Sequence, residues 1–172
     1  MDFSQDHFTL FGLPRRFALD SSELDARYRE LQAQVHPDRH AHLGQTEKRL
    51  AMQWSTRVNE AYQALRRPLS RAEYMLSLAG LDVHQERSMP AEFLLAQMEV
   101  REAVADARAA HDEAALDDLH RRVRKEMQAQ YSTLEQLLSQ GDLHSAAGLV
   151  RQLMFQEKLL AEVDDALAAT DA

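Results

Sequence analysis

Apolar residues recur along most of the chain at the three- and four-residue intervals that place them on one side of a helix. Leu24, Tyr28, Leu31 and Val35 step by four, three and four. Asp20 and Glu23 ahead of them have capping-box spacing, a side-chain acceptor followed three residues later by a carboxylate. This helix ends at His36, because Pro37 disfavours helical geometry in the residue before it. A second stripe, Leu50, Trp54, Val58, Ala61 and Leu65, predicts a helix over about 46–67 that Pro68 stops. Ser70 is placed to cap a shorter helix through Tyr74 and Leu78 to Gly80. Ahead of all of these, Phe8, Leu10, Phe11 and Leu13 form a short apolar element that Gly12 and Pro14 cut off. The two long helices, joined by a loop over 36–45, can lie antiparallel and bury their stripes against each other.

Beyond Pro90 the pattern predicts three further helices, over about 90–110, 112–140 and 142–169. Asp112 and Asp142 stand where N-caps belong, and Gly141 ends the middle segment. The middle stripe is Leu116, Leu119, Val123, Met127, Leu134 and Leu138; the last is Ala146, Leu149, Val150, Leu153, Leu160, Val163 and Leu167. Three amphipathic helices with short turns make an antiparallel bundle, and no stretch has the alternation of a strand, so the fold class is all-α. Residues 81–90 are polar and without a helical stripe, between a glycine suited to a helix C-terminus and a proline suited to a first turn. The expected division is therefore 1–80, a linker over 81–90, and a bundle over 91–172.

One helix carries more apolar surface than a bundle can use. Projected around the helix axis, Phe93, Ala96, Val100, Val104 and Ala107 gather on one side, the natural bundle face. Leu94, Leu95 and Met98 gather on the other, interleaved with Glu99, Glu102 and Asp106. An apolar patch rimmed by acid is a candidate surface for another protein, although packing against the other half of the chain would also account for it. On the last helix Phe155 projects away from the Leu149, Leu153, Leu160 stripe and is a candidate anchor.

Composition narrows the chemistry. The 172 residues include no cysteine, which removes disulfides, thiolate nucleophiles and Cys-ligated zinc or iron–sulfur clusters. The net charge is −8, and all of the excess falls after residue 90, where acidic side chains outnumber basic ones two to one. That balance argues against a nucleic-acid partner, since binding would have to neutralise phosphates. Arg121-Arg122-Val123-Arg124-Lys125 is the densest basic run and reads as a solvated face answering Asp117 and Asp118 across one turn. No apolar run approaches a membrane span, and the first residues have neither the basic start nor the apolar stretch of a signal peptide, so a cytoplasmic location is expected. His36, His40 and His42 with Asp38 could be drawn as a metal site, but loop histidines at that spacing are more often solvated. No nucleophile, oxyanion donor or glycine-rich phosphate loop accompanies them. The expectation is a protein that is not an enzyme and holds no metal or cofactor.

His36-Pro37-Asp38 sits at the start of the loop between the first two long helices, and Pro37 stiffens the corner that presents His36 and Asp38. The residues around it, Leu24-Asp25-Ala26-Arg27-Tyr28-Arg29-Glu30-Leu31 before it and Asn59-Glu60-Ala61-Tyr62 after it, resemble the J domain, the module that activates DnaK-type chaperone ATPases. The early Phe8-Thr9-Leu10-Phe11-Gly12-Leu13-Pro14 fits that module's short first helix. The resemblance implies a switch rather than a catalyst: His36, Pro37 and Asp38 as activating residues, with Arg27 and Arg29 as electrostatic docking groups. Asp25 and Glu30 interrupt the basic run, which favours a dedicated chaperone partner over a general one.

Pro68-Leu69-Ser70-Arg71-Ala72-Glu73-Tyr74-Met75-Leu76 together with Phe93-Leu94-Leu95-Ala96-Gln97-Met98-Glu99-Val100-Arg101-Glu102 extends the resemblance over nearly the whole chain, to the HscB family of iron–sulfur co-chaperones. That implies a partner ATPase of the DnaK/HscA type and an IscU-type iron–sulfur scaffold protein carried on the bundle. The scaffold-binding positions then fall on Leu94, Leu95, Met98, Glu99, Glu102, Asp106 and Phe155. The absence of the extra N-terminal cysteine pairs of eukaryotic members points to the bacterial type. The alternatives are a helical adaptor without ATPase-stimulating activity and a J protein for a different client.

Overall fold

Asp6 starts the first helix, α1 (His7–Leu10), by accepting hydrogen bonds from the backbone N–H groups of Phe8 and Thr9 at 3.0 and 3.2 Å. In this computed structural model, which describes residues 2–35, 44–86 and 88–170, six further helices follow: α2 (Ser21–Val35), α3 (Gln45–Arg66), α4 (Pro68–Leu78), α5 (Ala91–Ala109), α6 (Glu113–Gln140) and α7 (Leu143–Thr170). Every regular element among the described residues is helical, and the chain divides into two compact units, Met1–Leu78 and Ala79–Ala172. Residues 81–90, expected as a linker, lie in the second unit, where Val83 is buried and Glu86 pairs with Arg151 of α7 at 3.1 Å.

The first unit is a helical hairpin with a short leading helix. Its α2 and α3 pack against each other, α1 lies on α3, and the core is Phe8, Phe11, Leu13, Leu24, Val35, Trp54, Val58, Ala61 and Leu65. Burying side chains of this size stabilises by about 1.5–3 kcal/mol each before the cost of ordering the chain. Leu50, expected in the α3 stripe, is exposed, as is Met52, one of the methionines the pattern would assign to a core. The corner between α3 and α4 differs in detail from expectation. Pro68 does not merely stop α3; it opens α4, a first-turn position that needs no N–H. Ser70 is no cap, because its hydroxyl donates back to the carbonyls of Gln63 and Arg67. The end of α3 is instead tied down by Arg71, only 7% exposed, whose guanidinium donates to the Leu65 carbonyl at 2.7 Å and lies 5.3 Å from the Phe17 ring. Burial pushes the Arg71 pKa down from its ordinary value.

The second unit is the antiparallel three-helix bundle. Asp112 and Asp142 cap α6 and α7 by accepting from the N–H groups of Ala115 and Ser145, and Gly141 takes the left-handed conformation, φ 78°, that lets the chain turn between them. The turn between α5 and α6 uses a left-handed residue too, but it is His111, at φ 53°. Helices α6 and α7 are 28 residues each and α5 only 19, so α5 runs along about two-thirds of their length. One end of the core joins Val104, Ala107, Leu116, Leu119, Val163 and Ala166. On α7 Ala146, Val150, Leu153 and Val163 are buried as expected, but Leu159 and Ala166 are fully buried in place of Leu160 and Leu167, which are only partly covered. On α5 the bundle face takes Gln97, 4% exposed, where the projection favoured Ala96, which is exposed.

Candidate docking surfaces

The first unit presents α2. Its inner face is fastened to α3 by stacked rings and a polar ladder: Tyr28 and Tyr62 lie 4.0 Å apart at 19°, the Tyr28 hydroxyl donates to Asn59 at 2.9 Å, and the Tyr62 hydroxyl donates to Asp25 at 2.8 Å. The Gln32 amide also donates to Asn59. The bond to Asp25 raises the Tyr62 pKa, because the phenolic proton is needed to hold it. Asp25 and Asn59 therefore hold the hairpin together; Asp25 does more than interrupt a basic run.

Arg27 and Arg29 are both exposed, yet they do not share a face. Two positions apart on a helix places them about 200° from each other, one on either flank of the buried Leu24–Tyr28–Leu31 stripe. Arg27 stands between Glu23 and Glu30, at 4.0 and 3.8 Å, while the Arg29 Nε donates to the Asp25 carbonyl of its own helix at 3.2 Å. His36, Pro37 and Asp38, with His40 and His42, lie outside the described residues.

The bundle presents α5. Leu94, Leu95 and Met98 are 39%, 60% and 57% exposed, and Glu99, Glu102 and Asp106 around them are exposed as well. The six fall within one arc of α5, opposite the arc of Phe93, Gln97, Val100, Val104 and Ala107 that meets α6 and α7. Phe155 is half-buried at the edge of this arc. Its ring meets Phe93 edge to face at 5.9 Å, and the Arg101 guanidinium covers it at 4.8 Å. Arg101 is fixed in turn by two hydrogen bonds to Glu162, at 3.1 and 3.0 Å. Pattern reading singled out Phe155 but not Arg101, the residue that holds it; a cation three positions beyond Met98 and seven before Arg108 carries no signal of its own.

The sequence signals the buried Gln156 only as a glutamine in an apolar stripe. The Gln156 amide, almost fully buried, donates to Glu126 of α6 at 2.9 Å, while buried side-chain oxygens of Gln97, Gln130 and Gln156 have no protein partner. The basic residues of the α6 run are exposed, and Arg121 pairs with Asp118 as expected. Among the described residues no group of histidine, aspartate and glutamate side chains could hold a metal ion, and no described helix is long and apolar enough to cross a membrane.

Comparison with known proteins places both halves. Residues 6–74 match the DnaJ domain, and residues 89–164 match the family described as the HSCB C-terminal oligomerisation domain. The co-chaperone protein HscB homologue of Aromatoleum aromaticum is 51% identical over 99% of this chain and 98% of its own length. Its counterpart in Ralstonia nicotianae is 52% identical over 98% and 97%. Among solved structures, the chaperone HscB from Vibrio cholerae superimposes with a TM-score of 0.86 at 37% identity, covering 94% of this chain and 96% of that one. A J domain in front of an acidic three-helix bundle, with relatives of this identity along its whole length, belongs to the HscB family of co-chaperones.

Proposed function

We propose that this chain couples two partners: its J domain stimulates ATP hydrolysis by a DnaK/HscA-type chaperone, and its bundle delivers an IscU-type iron–sulfur scaffold protein to that chaperone. The observation that carries the reading is the exposure of Leu94, Leu95 and Met98 on the side of α5 turned away from its own core. Leaving three large apolar side chains in water forfeits about 1.5–3 kcal/mol for each that a partner could cover. Glu99, Glu102 and Asp106 around them favour a partner with a basic rim, speeding encounter and rejecting acidic competitors more than adding affinity.

On the other half, the activating residues are His36, Pro37 and Asp38, with Arg27 and Arg29 guiding the approach. Such a contact works by differential binding: groups that fit the hydrolysis-competent arrangement of the ATPase better than the resting one shift its population. No residue of this chain takes part in bond making; the relatives are named as co-chaperones, and the reaction belongs to the partner. The ladder of Tyr28, Tyr62, Asp25 and Asn59 keeps α2 and α3 in one arrangement, so that the corner between them is presented on a rigid base.

Two variants separate the halves. His36→Gln should abolish stimulation of the chaperone ATPase in steady-state assays while calorimetric affinity for the scaffold stays at the wild-type value. Leu94→Ala, Leu95→Ala and Met98→Ala together should weaken scaffold binding by about 100-fold, with stimulation by the J domain in the absence of scaffold unchanged. Normal stimulation by the His36 variant, or normal scaffold affinity of the triple variant, would overturn the corresponding assignment.

A further inference from the structure

Beside Phe155 lies a cavity of about 430 Å³ to which the exposed patch on α5 makes no contribution. Its walls come from the segment before α5 (Val83, His84, Glu86 and Met89) and from one face of α7 (Arg151, Met154, Phe155 and Lys158). The four α7 residues are spaced three, one and three apart, so two cations flank two apolar side chains along a single stripe.

The charges here are opposite to those on α5. Arg151 gives one guanidinium nitrogen to Glu86 at 3.1 Å, but its buried Nε has no partner, and its side chain is only 13% exposed. Lys158, exposed at the rim, has no ion-pair or hydrogen-bond partner among the described residues. The hydrogen bond from the Ser88 hydroxyl and the Arg151 charge lower the Glu86 pKa and keep it ionised, so its one negative charge answers Arg151 and leaves Lys158 unanswered. A lysine without an ion-pair partner beside an arginine whose buried Nε is unbonded is conspicuous in a half of the chain where acidic groups are twice as numerous as basic ones. Phe155 belongs both to this cavity and to the Phe93–Arg101 contact at the edge of the α5 patch, so the two surfaces are continuous.

We infer that this cavity is a second subsite for the same client, taking an extended segment in which an apolar side chain sits next to a carboxylate. The apolar side chain fills the space between Met89, Met154 and Phe155; the carboxylate meets Lys158 at the mouth and accepts from Arg151 behind it. The inference rests on the reading that the α5 face holds the scaffold protein, and it adds a polarity to that face. The acidic rim of α5 selects a basic part of the client and the α7 cavity an acidic part, which together fix the orientation in which the client docks.

The test uses the full chain and the purified scaffold protein in calorimetry at two salt concentrations. Lys158→Glu should weaken binding about fivefold or more at low salt and reduce its salt dependence, as expected for loss of a rim cation facing a carboxylate. Lys125→Glu, the same charge change on α6 away from the cavity, should leave affinity at the wild-type value. Binding that falls with Leu95→Ala but not with Lys158→Glu, or that falls equally with Lys125→Glu, would overturn the subsite and leave the α5 reading standing. No binding by the wild-type chain would overturn both. A photo-crosslinking residue at Met154 gives an independent readout: the captured client peptide should carry Asp or Glu within two positions of the crosslink, and a captured peptide without one defeats the proposal.

Discussion

Helices α2 and α5 solve opposite problems in presenting a surface. On α2 the side chains that matter to packing are polar as well as aromatic, and they are consumed: Tyr28, Asp25 and Gln32 are all bonded across to α3. What remains outside is a pair of cations on separate flanks, Arg27 beside its glutamates and Arg29 against its own backbone. On α5 the core takes a narrow arc that even includes a glutamine, and the large apolar residues are left over in water. A hairpin whose polar groups are used internally can be rigid and bland except at its corner. A bundle helix with apolar residues to spare leaves a surface that a partner can cover.

This contrast can be tested by perturbing one unit and watching the other. The largest effect should come from Phe8→Ala. Phe8 is fully buried at the centre of the first core, and its truncation should cost about 3–5 kcal/mol. Denaturant unfolding followed at Trp54 should shift accordingly, while scaffold affinity, which the proposal assigns to the second unit, should stay at the wild-type value. Loss of scaffold binding in a folded-bundle background would show that the units are not separable.

A smaller effect should distinguish the helix caps of the two units. Asp6 is largely covered, and although burial alone pushes its carboxyl up, hydrogen bonds from Arg15 and Thr9 hold it well below the usual carboxylate range. A carboxyl depressed in the folded state contributes stability that is fully present above its unfolded pKa, about 4, and is lost as pH falls through the folded value. Asp6→Ala should therefore cost about 1–2 kcal/mol at neutral pH in urea unfolding, and the gap from wild type should narrow as the pH is taken below about 4. A gap independent of pH would remove the carboxylate from the account.

The smallest expected effect is a gain. His111 occupies left-handed backbone at the end of α5, where a side chain costs about 1 kcal/mol and glycine costs little. His111→Gly should raise the stability of the second unit by up to about 1 kcal/mol and leave the first unit unmoved. Destabilisation would mean that the imidazole contributes more than its backbone geometry costs.

Much of this was legible from residue order. The helix spans, the caps at Asp112 and Asp142, the turn at Gly141 and the doubled face of α5 follow from local rules that involve a few neighbouring residues. Several departures from expectation turn on a partner distant in sequence. Whether Leu159 or Leu160 of α7 is buried depends on how α5 and α6 approach, because both lie near the edge of the stripe. Gln97 takes the bundle face in place of Ala96, and helical spacing alone cannot reveal that a buried position accepts a glutamine. Residues 81–90 looked like a linker because they lack periodicity, yet Val83 and the Glu86–Arg151 pair give them a packed role that no stripe announces. The grip of Arg101 on Phe155 likewise joins positions from two helices.

That grip has a consequence for recognition. A flexible side chain that must be frozen when a complex forms subtracts about 0.5–1.5 kcal/mol from the affinity. In the proposed complex Phe155 would meet little of that cost, because Phe93 at its edge and the Glu162-braced guanidinium over its face already set its orientation. The aromatic group at the border of the patch is thus preorganised, a fixed knob against which an arriving protein can be registered.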